Sequence, residues 1–89
     1  MIIKYSPFFL KKLKQVDVRI RKSFKEKIGL FLKDHLDPRL NNHVLRNDFA
    51  GLRSIDVTAD WRAVYEERSY GEDRVAYFVN IGTHRELYR

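Results

Sequence analysis

The chain has no cysteine, two prolines, four glycines, one methionine and one tryptophan among its 89 residues. Without thiols there is no disulfide framework, no thiolate metal site and no cysteine nucleophile, and the composition fits a reducing compartment. Repeats, linkers and low-complexity segments are missing too. Apolar runs such as Pro7-Phe8-Phe9-Leu10 are far too short to cross a bilayer. The N-terminal stretch has neither the long apolar segment nor the small-residue cleavage site of a signal peptide, so the expected location is cytoplasmic, with no membrane contact.

What is present is enough for one small domain spanning residues 1–89. Hydrophobic residues make up 44% and aromatics 13%. Aromatic side chains bury large areas, so a packed core is within reach even at this length. The formal net charge is +6. Such a surface either serves solubility or faces a polyanion, a nucleic acid or an acidic protein segment.

Ile2-Ile3-Lys4-Tyr5 reads as a first strand. Ser6-Pro7 is a helix start, because the hydroxyl can cap a free N–H and proline suits the first turn. Phe9, Leu10 and Leu13 then recur at helical spacing, which predicts a helix over about 7–16. Asp17 can cap a second helix whose apolar face carries Ile20, Phe24, Ile28, Phe31 and Leu32; Pro38 should end it near Leu36. Residues 37–50 lack a sustained period and read as a loop holding at most one helical turn. Leu52–Val57, Trp61–Tyr65 and Val75–Ile81 read as three strands of an antiparallel meander, with a turn at Tyr70-Gly71-Glu72-Asp73. His84–Arg89 has room for one helical turn. The predicted class is α+β: an antiparallel sheet with an N-terminal helical hairpin on one face, in the order β-α-α-β-β-β.

Several chemistries can be set aside. His35, His43 and His84 lack the close spacing of a zinc site, and Gly51, Gly71 and Gly82 stand alone rather than forming a phosphate cradle. None of Ser6, Ser23, Ser54 and Ser69 has a nucleophile-elbow context. Polar groups near strand ends remain: His43, Arg53, Asp56, Asp60, Arg62, His84 and Tyr88. Such an ensemble suits cleavage of an RNA phosphodiester, which needs a base for the 2′-OH, an acid for the leaving 5′-oxygen and cations for the phosphorus centre. Histidine can fill either proton role, and no metal or other cofactor is required because the nucleophile is already in the substrate. Taken singly, each residue also has a plain reading. Trp61 can be packing, Arg53 and Arg62 outward strand charges, Asp60 a turn residue.

The segment Gly51-Leu52-Arg53-Ser54-Ile55-Asp56-Val57-Thr58-Ala59-Asp60-Trp61-Arg62-Ala63-Val64-Tyr65 resembles the RelE/ParE toxin superfamily. The closing Asn80-Ile81-Gly82-Thr83-His84-Arg85-Glu86-Leu87-Tyr88 is similar to its YafQ branch. The resemblance implies a RelE-like fold and the toxin of a type II toxin–antitoxin system, an endoribonuclease that cuts mRNA in the ribosomal A site by metal-independent 2′-OH attack. It implies a cognate antitoxin partner in a hetero-oligomer, for which the two helices and the sheet edge are the expected surface. By the same resemblance His84 is the general acid and Asp60 or His43 the base. Arg62 would stand near the scissile phosphate and Tyr88 would orient or stack on substrate; Arg53, Trp61 and Arg85 are the expected RNA-binding residues. Two positions depart from the branch: Asp56 stands where a histidine is expected, and Asn80 where an arginine is expected. Alternatives within the same superfamily are a non-catalytic ParE-like toxin that blocks DNA gyrase and a decayed toxin that only binds its antitoxin.

Overall fold

The computed structural model describes residues 1–46 and 49–88. Asn47 and Asp48 of the expected loop, and Arg89 of the expected C-terminal turn, lie outside the described residues. Strand β1 (Ile2–Tyr5) leads into helices α1 (Pro7–Gln15) and α2 (Val18–Lys33). A 3₁₀ turn at Pro38–Leu40 and a two-residue strand β2 (His43–Val44) follow. Strands β3 (Leu52–Asp56), β4 (Trp61–Tyr70) and β5 (Asp73–Thr83) and the short helix α3 (His84–Leu87) complete the chain.

The helix caps are those the sequence predicts. Ser6 Oγ accepts from Phe9 N at 3.0 Å, and Asp17 Oδ1 from Arg19 N at 2.8 Å. Helix α2 stops at Lys33 rather than near Leu36, because Asp34 turns extended and its carboxylate accepts from Leu36 N at 3.0 Å. That local bond offers the backbone an alternative to another helical turn.

The sheet runs β1-β5-β4-β3-β2. The three-strand meander is antiparallel as expected, but β1 lies parallel to β5, so the whole sheet is mixed. The helical pair causes this by carrying the chain from the β1 edge to the β2 edge, from which the meander returns to β1. Strand β4 also runs beyond its expected end at Tyr65. Its polar second half, Glu66–Tyr70, pairs with the start of β5 through a tight turn in which Gly71 has φ +62°. Arg74 meets Glu67 across this hairpin at 2.8 Å, a cross-strand ion pair that apolar periodicity does not reveal.

One face of the sheet packs under the helices. Phe9, Phe24 and Phe31 meet Phe78 with ring centroids 5.7, 5.8 and 5.8 Å away, and Phe31 meets the buried Tyr65 edge-on at 5.3 Å. Ile55, Ala63 and Ile81 extend this core along the sheet. No helix among the described residues is long and apolar enough to cross a membrane.

Candidate functional site

Strand alternation leaves a second sheet face, away from the helices. There the register aligns His43, Ser54, Val64 and Asn80 in one row across β2, β3, β4 and β5. Neighbouring strands are roughly 4.8 Å apart, so the row is about 14 Å long. Asp56, Arg62 and Gly82 form the next row. Asn80 reaches this face because of a bulge. Tyr65 pairs with Phe78 while Val64 pairs with Asn80, so Val79 is an extra residue and the side chains after it change faces.

Helix α3 and Tyr88 fold back over these rows. Thr83 caps the helix in a reciprocal box: Thr83 Oγ1 accepts from Glu86 N at 3.1 Å, and Glu86 Oε1 accepts from Thr83 N at 2.9 Å. His84 N donates to the Asp60 carbonyl at 2.9 Å, which joins the C-terminal helix to the β3–β4 turn. Leu87 is buried against Gly82, where an added Cβ would lie 3.3 Å from its side chain. Tyr88 donates its hydroxyl to the fully buried Ser54 Oγ at 2.8 Å. The Tyr88 ring stands 4.7 Å from His84 on one side and 5.6 Å from Phe49 on another.

His43 arrives beside Ser54 from the opposite edge. Its Nδ1 is 2.8 Å from the Asn41 carbonyl. A carbonyl only accepts, so Nδ1 carries the proton and the neutral ring keeps a free lone pair on Nε2. Of the expected residues, His43, Tyr88 and His84 therefore stand around Ser54, and Asp60 joins them through its main-chain carbonyl. His43, Asp60 and His84 are exposed and Tyr88 is half-buried, so the site is open to a large substrate.

Other expected residues are placed differently. Arg62 shares this face, but its Nε is 3.0 Å from Asp56 Oδ1, an ion-pair contact whose N–H is not aimed at that oxygen. Its Nη1 donates to the carbonyls of Thr58, Ala59 and Trp61 at 2.9 to 3.1 Å, which ties the guanidinium to the β3–β4 turn. Asp56 thus has a structural partner of opposite charge. Arg53 pairs in register with Tyr65 on the helix-side face, and its Nε donates to Asn42 Oδ1 at 2.9 Å. Trp61 is half-buried and packs against the core, whereas Arg85 is exposed on α3. Burial holds the Tyr65 phenol above its ordinary pKa, so it stays a neutral hydroxyl beside Asn42.

Two contributors were not legible as site residues. Ser54 sits under Tyr88, and only the strand register shows it. Lys12 on α1 donates to Asn80 Oδ1 at 2.8 Å, bringing an ammonium to the far end of the row. Among the described residues it forms no ion pair with a carboxylate, and no cluster there has the makings of a metal site. A lysine among Lys11, Lys12 and Lys14 reads as a solvated helix face; contact with a residue 68 positions away needs the fold.

Comparison with known proteins agrees with this architecture. The profile of the family described as a bacterial toxin of type II toxin–antitoxin system, YafQ, matches residues 1–89. The structure is similar to YafQ from E. coli strain BL21(DE3), with 25% identity, 98% of this chain and 97% of that chain covered, and a TM-score of 0.77. It is similar to the E. coli DinJ-YafQ toxin–antitoxin complex at 25% identity, covering 98% of this chain and 96% of that one, with a TM-score of 0.74. A YoeB/ParE toxin from Agrobacterium tumefaciens shares the fold at 18% identity, with 94% and 99% covered and a TM-score of 0.74. No curated protein matches.

Proposed function

Because this chain belongs to the YafQ family of type II toxin–antitoxin toxins, we propose that it is a ribosome-dependent endoribonuclease that cuts mRNA at the His43–Tyr88–His84 end of the sheet. The observation that carries this reading is a pair of exposed imidazoles near Ser54: His84 lies against Tyr88, whose hydroxyl bonds Ser54, and Ser54 is the backbone partner of His43 across β2 and β3. In the proposed step His43 Nε2 removes the 2′-OH proton and the 2′-oxygen attacks the adjacent phosphorus. The bond from phosphorus to the 5′-oxygen breaks, and His84 in its protonated form donates to that oxygen. A 2′,3′-cyclic phosphate and a 5′-hydroxyl result, with no metal in the step.

The free lone pair on His43 favours it as the base over Asp60, which holds α3 through its main chain. Tyr88 supplies a ring on which a base can stack. Arg62 acts indirectly, by holding the Asp60 turn. The positive charge for the scissile phosphate comes from Arg85, exposed on α3 beside His84, whereas Lys12, at Asn80 on the far end of the row, is placed for a flanking phosphate.

The solved E. coli complex pairs YafQ with DinJ, and we take an antitoxin of that kind to be this chain's partner. The helical pair offers it exposed Phe8 and Leu32, together with a cavity of about 300 Å³ lined by Leu13, Phe24 and Ile28 beside Arg21 and Lys25.

Cleavage of mRNA in a reconstituted translation system tests the reading. His84→Ala should lower the cleavage rate by roughly 10²- to 10⁴-fold, the range for losing a proton-transfer group. Undiminished cutting would remove His84 from the reaction. Intact mRNA with DNA-damage signalling in expressing cells would select gyrase blockade instead.

A further inference from the structure

We propose that Asn42 is a positioning residue for His43, holding the imidazole in its Nδ1–H tautomer; the inference rests on the reading of His43 as the general base. His43 lies on an edge strand of only two residues and is exposed. Little in that strand restrains its ring, and a free neutral imidazole favours the opposite tautomer, with the proton on Nε2 and the base function lost. The restraint comes from the preceding residues. Asn41 adopts a left-handed conformation, φ +48° and ψ +45°, that few non-glycine residues enter, and its carbonyl meets His43 Nδ1. Asparagine enters that region more readily than other non-glycine residues, and the surroundings of the loop decide whether its carbonyl stays aimed at the ring.

Asn42 supplies those surroundings. Its Nδ2 donates to the His35 carbonyl at 2.9 Å and to the Tyr65 hydroxyl oxygen at 2.7 Å, using both amide hydrogens. Its Oδ1 accepts from Arg53 Nε at 2.9 Å. One side chain thus ties the loop to the segment after α2, to core strand β4 and to β3. Arg53, on the face away from His43, contributes to the site through this amide. The carbonyl that orients the ring belongs to the residue directly before the clamp.

The experiment uses the full chain with ¹⁵N-labelled histidine and reads the imidazole nitrogens of His43 at a pH where the ring is neutral, alongside kcat and KM for mRNA cleavage on ribosomes. Asn42→Asp keeps the shape and removes both donors. Tyr65→Phe removes one acceptor from the clamp and leaves the buried ring in place. The wild type should show Nδ1–H. Both variants should move towards Nε2–H, with kcat falling on the order of tenfold while KM holds, as a misaimed base predicts. Should Asn42→Asp fail to fold, Tyr65→Phe gives the same readout. Variants that keep both the wild-type tautomer and the wild-type kcat overturn the proposal, since a merely structural clamp would alter stability alone. A wild-type chain that cleaves no mRNA overturns the reading of the site itself, and the histidine spectrum separates that failure from failure of the clamp.

Discussion

Tyr88 has two separable roles, one for its hydroxyl and one for its ring. The hydroxyl satisfies Ser54 Oγ, which has no exposure to water, and the ring lies against His84. Tyr88→Phe should therefore destabilise the fold by about 1–3 kcal/mol, the cost of leaving a buried hydroxyl unsatisfied, seen as a lower urea midpoint. Cleavage should stay within about a factor of ten of wild type, well short of the loss expected for a proton donor. A larger loss would give the phenol itself a part in proton transfer. The Asp56–Arg62 pair makes a related point about charge. Along the sequence the aspartate stands as an unexpected anion among candidate cationic groups, yet its neighbour across the strand pair is the arginine that braces the turn. Residue type was legible there; partner choice depends on register.

Helix α3 is far below the ~12 residues at which an isolated helix becomes even marginally stable in water. It persists through the Thr83–Glu86 capping box, the His84 N–H bond to Asp60 and the seat of Leu87 on Gly82. Thr83→Val keeps a β-branched residue at the end of β5 and removes the capping hydroxyl, an exchange that costs about 1 kcal/mol of helix stability. Cleavage should fall because His84 and Tyr88 lose their mount, while the main thermal transition, set by the aromatic core, should move little. Parallel rate and melting measurements check this; a rate that holds would mean that Leu87 alone seats the helix. At this scale the sequence revealed β1, α1 and the caps well, since each is signalled by local chemistry. It missed β2 and the bulge at Val79, because two paired residues leave no periodicity and a bulge looks like any other strand residue.

The whole molecule carries a net charge of +6, and any polyanionic partner should be held more weakly as salt rises. If Lys12 meets a phosphate at the end of the row, Lys12→Met should reduce the slope of log affinity for toxin-bound RNA against log salt by about one. A nuclease-dead His84→Ala background keeps the RNA intact during titration. An unchanged slope would confine Lys12 to holding Asn80. Global topology explains how this lysine comes to be there: β1 pairs with β5 only as far as Phe78, and past that point Lys12 of α1 turns its amine onto Asn80.

The sequence by itself determined a basic chain of α+β class with two capped amphipathic helices and a meander, along with the residue types of the site. Those features follow from local rules of period, capping and turn chemistry, and the joined C-terminal motifs pointed to the toxin family. The tertiary structure decided which expected residues share a face. It placed His43, His84 and Tyr88 around Ser54, joined Asp60 to them through its main-chain carbonyl, and turned Arg53 to the helix side. It engaged Arg62 with Asp56 and the turn, and delivered Lys12 to Asn80. Strand register and a one-residue bulge settle these placements, because each residue of offset reverses the face on which a side chain stands.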